Sequence, residues 1–252
     1  MQGTDCFNKL KKISSSLSEK CSALKFNPPV EAVYNPLDYA REPHEKYLKL
    51  AGSSEKKVIF LGMNPGPWGM AQTGVPFGEI PHVRDWMGIE GKTGKPPNEH
   101  PKRPIEGFAC NRSEVSGRRL WGLFRERFGT ADNFFRDHYI ANYCPLVFMD
   151  KNGANITPDK LGKAETAPLY EICDEALIKT IMLLKPKWVI GIGGFAKKKI
   201  DGVMKHIKSQ EKNSLEFSTL QILHPSPASP KANSGWDREA EKTLIQAGVW
   251  KK

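Results

Sequence analysis

Apolar residues recur along this chain with two periods. In VIFLG (58–62), HYIANYCPLVF (138–148), WVIGIGG (188–194) and TLQILH (219–224) they run almost consecutively and are rich in β-branched residues, the pattern of strands buried on both faces. Between those runs they fall three and four apart, the pattern of one helical face. Phe7, Leu10, Ile13, Leu17 and Leu24 mark a helix over 7–25, and a second short helical stretch covers 38–50 beyond prolines 28, 29 and 36. Leu120, Leu123, Phe124 and Phe128 mark a helix over 116–128 that opens at Ser116, a capping residue type. Further helices are expected over 168–184, from Phe195 onward, and over 236–247. Strand alternating with helix predicts an α/β fold whose mainly parallel sheet is covered on both faces. We expect one domain across residues 1–252, with 1–55 as a helical extension packed upon it.

The stretch 63–115 breaks the alternation. It is rich in Gly and Pro and has no sustained period, yet it holds Trp68, Phe77 and Trp86. Long loops within compact domains are functional or disordered, and disordered segments are poor in aromatics, so this one reads as the active-site loop.

Charge adds a partner to the picture. Against 28 Asp+Glu stand 38 Lys+Arg, a formal net charge of +10, which attracts polyanions and makes their binding salt-dependent. The five cysteines, Cys6, Cys21, Cys110, Cys144 and Cys173, are widely spaced with no C-x-x-C pair, and read as reduced, partly buried thiols. No apolar run approaches a membrane span, and the opening MQGTDCFNKLKKISSS lacks the apolar core of a secretion signal. A soluble protein of a reducing compartment, with no membrane partner, is expected. No P-loop or acidic metal cluster supports nucleotide hydrolysis.

In an open α/β sheet the ligand sits at the carboxyl ends of the strands. Three such ends are distinctive: GMNPGPWGMAQTGVPFGE (62–79), ANYCPL (141–146) and HPSPASPKANSGW (224–236). Taken singly, Asn64 before a proline suits a turn, Asn142 a satisfied core amide, and His224 a structural strand end. Their joint placement points to a site.

Together with EHPKRP (99–104) and SEVSGRRLWG (113–122), these segments resemble the single-strand-selective monofunctional uracil-DNA glycosylases, over residues 57–248. The resemblance implies a three-layer α/β/α sandwich around a central four-stranded, mainly parallel sheet. It also implies an enzyme that flips uracil, 5-hydroxymethyluracil or 5-formyluracil out of single- or double-stranded DNA and hydrolyses its bond to deoxyribose, leaving an abasic site. Asn64 matches the residue that positions water and His224 the one that donates to uracil O2 as negative charge grows there. Asn142 matches the amide that reads N3 and O4, and Phe77 the ring that stacks on the base. Met63, Gly66 and Met70 match pocket positions, the last two near the C5 edge.

Phosphate contacts are expected from Ser116, Lys102, Arg103, Ser226 and Lys231, while Lys197–Lys199 reads as a solvated helix face. Ala228 stands where vertebrate members carry a wedging arginine, a departure from the family pattern. DNA is the expected partner of a monomer with neither cofactor nor metal, in the nucleus of a eukaryote or otherwise in the cytoplasm. Two other readings stay open: a mismatch-directed thymine/uracil glycosylase of the same superfamily, and a damaged-DNA-binding module without catalysis.

Overall fold

The computed structural model describes residues 2–209 and 215–251. Helix α1 (Gln2–Ser22) leads to strand β1 (Ala32–Tyr34), helix α2 (Pro36–Tyr39) and helix α3 (Arg41–Ala51). Strand β2 (Val58–Gly62) is followed by the short helix α4 (Met70–Thr73), then by α5 (Val115–Phe128) and α6 (Ala131–Asp137). Strands β3 (His138–Asn142), β4 (Val147–Met149) and β5 (Asn155–Ile156) precede helix α7 (Lys163–Leu184). The chain continues through β6 (Trp188–Ile192), α8 (Gly194–Ser209), β7 (Ser218–Ile222), α9 (Pro230–Asn233) and α10 (Trp236–Gln246).

The four apolar runs assemble into one parallel sheet of order β3-β2-β6-β7. Strand β2 is central and buried at every residue, which is why VIFLG carries no polar position. Its side chains alternate between two helical layers. Ile59 and Leu61 share a cavity with Leu10 and Leu17 of α1 and Leu177 of α7. Phe60 points the other way, with its ring centroid 5.2 Å from that of Phe124 in α5 and 6.4 Å from Trp250. The sheet is therefore covered on both faces. The order reverses at β2, where β3 leaves on one side and β6 on the other, so the crevice beyond its carboxyl end is the place for a ligand.

Four expectations change. The run 138–148 is two strands: β3 ends at Asn142, and β4 belongs to a second, antiparallel sheet of order β1-β4-β5. Tyr143 and Cys144 still donate to the carbonyls of Gly62 and Met63, but Pro145 has no N–H and the ladder stops there. The segment 63–115 is not structureless, since it holds α4, a π-helical turn at His82–Trp86 and a 3-10 turn at Gly107–Ala109. Helix α7 begins at Lys163, with Pro168 tolerated inside it. Finally, Lys197–Lys199 is no simple solvated face, because Lys197 pairs with Asp201 at 2.6 Å and Lys199 lies over the Tyr170 ring at 3.3 Å.

Candidate active site

The carboxyl end of β2 makes the floor of a pocket because Gly62 has no side chain. A Cβ on Gly62 would stand 2.4 Å from Asn142 Oδ1 and 2.6 Å from the Phe77 ring, so both approach only a glycine. Asn142 leaves β3 beside it, paired with Gly62 across the sheet. Its Nδ2 donates to the sulfur of Met70 at 3.4 Å, and its Oδ1 is buried without a hydrogen-bond partner. Such an atom is an acceptor awaiting a donor.

Phe77 takes a φ of 54°, in the region where non-glycine residues are strained. Tertiary bonds hold it there. Its carbonyl oxygen accepts from Trp121 Nε1 at 3.1 Å and from the Glu79 N–H at 2.7 Å. Gly117 lies against the same oxygen, with room for no Cβ, since one would sit 2.0 Å away. The SGRRLWG segment thus positions Phe77 from α5.

His224 follows β7, with its ring centroid 6.2 Å from that of Phe77. The Ser226 N–H donates to His224 Nδ1 at 3.1 Å, so the neutral ring carries its proton on Nε2. Burial pushes the imidazole below its ordinary pKa. The result is an uncharged N–H donor, with no partner for Nε2 among the described residues. The loop bearing it is held from three sides: Arg119 Nη1 donates to Pro225 O at 3.0 Å, Asn233 Nδ2 to Pro227 O at 3.0 Å, and Trp236 Nε1 to Leu223 O at 2.6 Å.

Asn64, two residues beyond Gly62, spends its amide hydrogens on Leu146 O at 3.2 Å and Pro65 O at 3.3 Å. The end left to accept a hydrogen bond is its carbonyl oxygen. Met63 and Gly66 are half-buried nearby in the chain, and the Glu114 carboxyl packs against Gly66, where a Cβ would stand 2.9 Å from Oε2. Gln72 fixes this loop from beneath. Fully buried, it donates to Pro67 O and Pro104 O and accepts from the N–H groups of Glu106 and Gly107, satisfying its whole amide.

The expected phosphate residues divide. Ser116 is a correction: α5 starts one residue earlier, Ser116 is buried, and its N–H is taken by the capping Glu114 carboxylate at 3.1 Å. A helix N-terminus already holding a carboxylate offers no open anion site. Ser226 turns its N–H to His224 and its Oγ to the Ala228 N–H, which makes it part of the histidine's support. Lys102, Lys231 and Ala228 are exposed. Arg103 stacks over Trp68 at 5.1 Å, and Arg112 does the same at 5.4 Å. All five cysteines are free thiols.

Sequence reasoning missed Gly62, Gly117, Arg119, Trp121 and Gln72. Only Gly62 left a local trace, as the glycine that closes a strand. The others act through partners far along the chain. Among the described residues no group of His, Cys, Asp and Glu could hold a metal ion.

Residues 51–245 match the uracil DNA glycosylase superfamily. The single-strand selective monofunctional uracil-DNA glycosylase of Rattus norvegicus is 45% identical over 233 residues, covering 92% of this chain and 82% of the rat protein. The Mus musculus and Bos taurus proteins of that description are 44% and 43% identical over the same share of this chain, covering 81% and 84% of theirs. Among solved structures, Pedobacter heparinus SMUG2 aligns with a TM-score of 0.62 at 18% identity, covering 94% of this chain and 97% of that one.

Proposed function

The chain belongs to the single-strand-selective monofunctional family of the uracil-DNA glycosylase superfamily, and from that premise we propose that it is a DNA-repair hydrolase releasing uracil, 5-hydroxymethyluracil and 5-formyluracil from single- and double-stranded DNA. One observation carries the reading. A buried, unpartnered amide oxygen at Asn142 stands beside an aromatic ring and an uncharged imidazole N–H. Uracil matches that set, with N3–H for the amide oxygen, a flat face for Phe77, and O2 for His224 Nε2.

The chemistry follows from those groups. The C1′–N1 bond breaks with its electron pair leaving on the base, and negative charge collects at O2. A preorganised donor there lowers the barrier, and the neutral imidazole already carries the Nε2–H that donates, with no proton to be taken up first. The sugar cation is captured by a water held by Asn64 Oδ1, which gives up its proton to solvent as the C1′–O bond forms. An amide is no base at neutral pH, so cleavage leads and water follows. No lysine matches a motif position for attack on C1′, so the abasic product is expected to stay intact. Gly66 and Met70, neither aromatic, leave the C5 edge open to a polar substituent.

The test uses the purified protein with single-stranded and duplex oligonucleotides bearing uracil or 5-hydroxymethyluracil, in EDTA. Alkali-labile sites at the modified base are expected, with no adduct trapped by borohydride. An intact glycosidic bond in every substrate overturns the proposal.

A further inference from the structure

The uracil reading leaves one question open at Asn142. An amide free to turn end for end pairs as well with cytosine as with uracil, because the two bases present opposite donor and acceptor patterns at position 3 and at the C4 substituent. Shape alone does not prevent the turn, since the oxygen and the NH₂ of an amide are nearly the same size. What does distinguish the two orientations is the thioether of Met70, which accepts from Asn142 Nδ2 at 3.4 Å. Reversed, the amide would set its carbonyl oxygen against that sulfur, lone pair against lone pair. The N–H donors would then stand where Oδ1 now lies, a buried position with no hydrogen-bond partner among the described residues.

Met70 is itself firmly held. It is 3% exposed and opens α4, which closes at Gly74 in the left-handed conformation. The Gly74 carbonyl accepts from His44 Nδ1 at 2.8 Å, and His44 Nε2 in turn accepts from Ser14 Oγ of α1 at 2.9 Å. The sulfur's place is thus braced from the amino-terminal helix.

We propose that Met70 is a specificity-determining positioning residue, whose thioether holds the Asn142 amide in the orientation that reads uracil and rejects cytosine. The proposal rests on the uracil-glycosylase reading. It gives Met70 a task separate from lining the C5 edge, and it predicts an effect on discrimination beyond any effect on stability.

The test measures binding rather than turnover, so that a poor leaving group does not mask recognition. Dissociation constants are taken for single-stranded oligonucleotides carrying one 2′-fluoro-2′-deoxyuridine or 2′-fluoro-2′-deoxycytidine, whose fluorine resists cleavage. The full chain is compared with Met70→Leu, which keeps the bulk and removes the acceptor, and with Met70→Gln, which supplies a carbonyl oxygen in its place. Sulfur is a weak acceptor, so the uracil-to-cytosine ratio should narrow by about five- to tenfold in Met70→Leu and largely recover in Met70→Gln. An unchanged ratio in a cooperatively melting Met70→Leu overturns the proposal, as does a narrowing that glutamine fails to reverse. Should leucine abolish cooperative melting, protein carrying norleucine for its seven methionines undergoes the same measurement, and a wild-type ratio there overturns the proposal too. A wild-type chain that releases no uracil from cleavable DNA counts instead against the glycosylase reading.

Discussion

Strand β3 begins with a histidine and ends with an asparagine, and the two ends treat polar atoms in opposite ways. At the amino end His138 is 4% exposed among aromatic rings, stacked 4.8 Å from Phe134. Both ring nitrogens are used, with Nδ1–H donating to Phe134 O at 2.9 Å and Nε2 accepting from Trp250 Nε1 at 3.0 Å. At the carboxyl end of β3 Asn142, like His224 beyond β7 on the same side of the sheet, has one polar end satisfied and the other open. A buried polar group with every partner in place is structural. One with half its partners is held in orientation and left free to bind. Leaving such an atom unpaired costs about 1–3 kcal/mol, which the rest of the domain must offset.

The largest test of that contrast is catalytic. Asn64→Ala and His224→Leu should each lower single-turnover uracil release by on the order of 10²-fold or more, the scale of losing one transition-state contact. Their melting temperatures and their binding to uracil-containing DNA should stay near wild type. Wild-type rates in either variant would erase the distinction between the two ends.

The converse substitution lies at the closed end. His138→Leu strands the Trp250 N–H, while the Phe134 carbonyl loses the ring donor but keeps the backbone N–H of residue 138, so the substitution should destabilise the fold by about 1–3 kcal/mol in urea titration. The excision rate per folded molecule should hold within about twofold, since nothing in the pocket depends on His138. A large fall in that rate, with stability intact, would mean the two ends are coupled.

Acid sharpens the comparison further. Burial holds His138 and His44 down to about 4, against an ordinary 6.5. Between those values the unfolded chain binds protons that the folded chain refuses, so stability is complete above pH 6.5 and falls as pH drops toward 4. The urea midpoint should decline over that window, less steeply in His138→Leu. Excision, which needs His224 neutral, should stay flat from about pH 6.5 to 8. A rate that rises with acidity across that range would point to a charged imidazole.

The smallest effect belongs to the exposed loop beyond His224. Ala228 is too short to fill the gap left by a flipped base, and holding a base out of a duplex costs a few kcal/mol that single strands hardly require. Ala228→Arg should raise excision from U·A duplexes by roughly three- to tenfold and leave single-strand rates nearly unchanged. Equal rates of the wild-type protein on U·A and single-stranded DNA at matched salt would defeat this.

Much of the architecture is legible in one dimension. The runs at 58–62, 188–194 and 219–224 announce buried parallel strands because their period depends on neighbours within the chain, and most of the helices follow for the same reason. The run 138–148 misleads, since apolar residues continue past Pro145 and only pairing shows that 147–149 serves another sheet. Ser116 misleads likewise. A serine ahead of a helix resembles an open anion site until Glu114 is seen to occupy it.

What the amino-acid sequence determines by itself is the order of the elements, the ends of strands where chemistry gathers, and the family its motifs resemble. What only the tertiary structure decides is the state of individual atoms there. The proton on His224 is placed by the Ser226 N–H, Phe77 is held at a positive φ by Trp121 from 44 residues away, and the Asn142 amide is turned by Met70. Gly62 matters because two side chains converge on it from distant segments. Periodicity reflects which face of an element is buried, whereas a hydrogen bond or a steric gap exists only once remote segments meet, and no local pattern records that meeting.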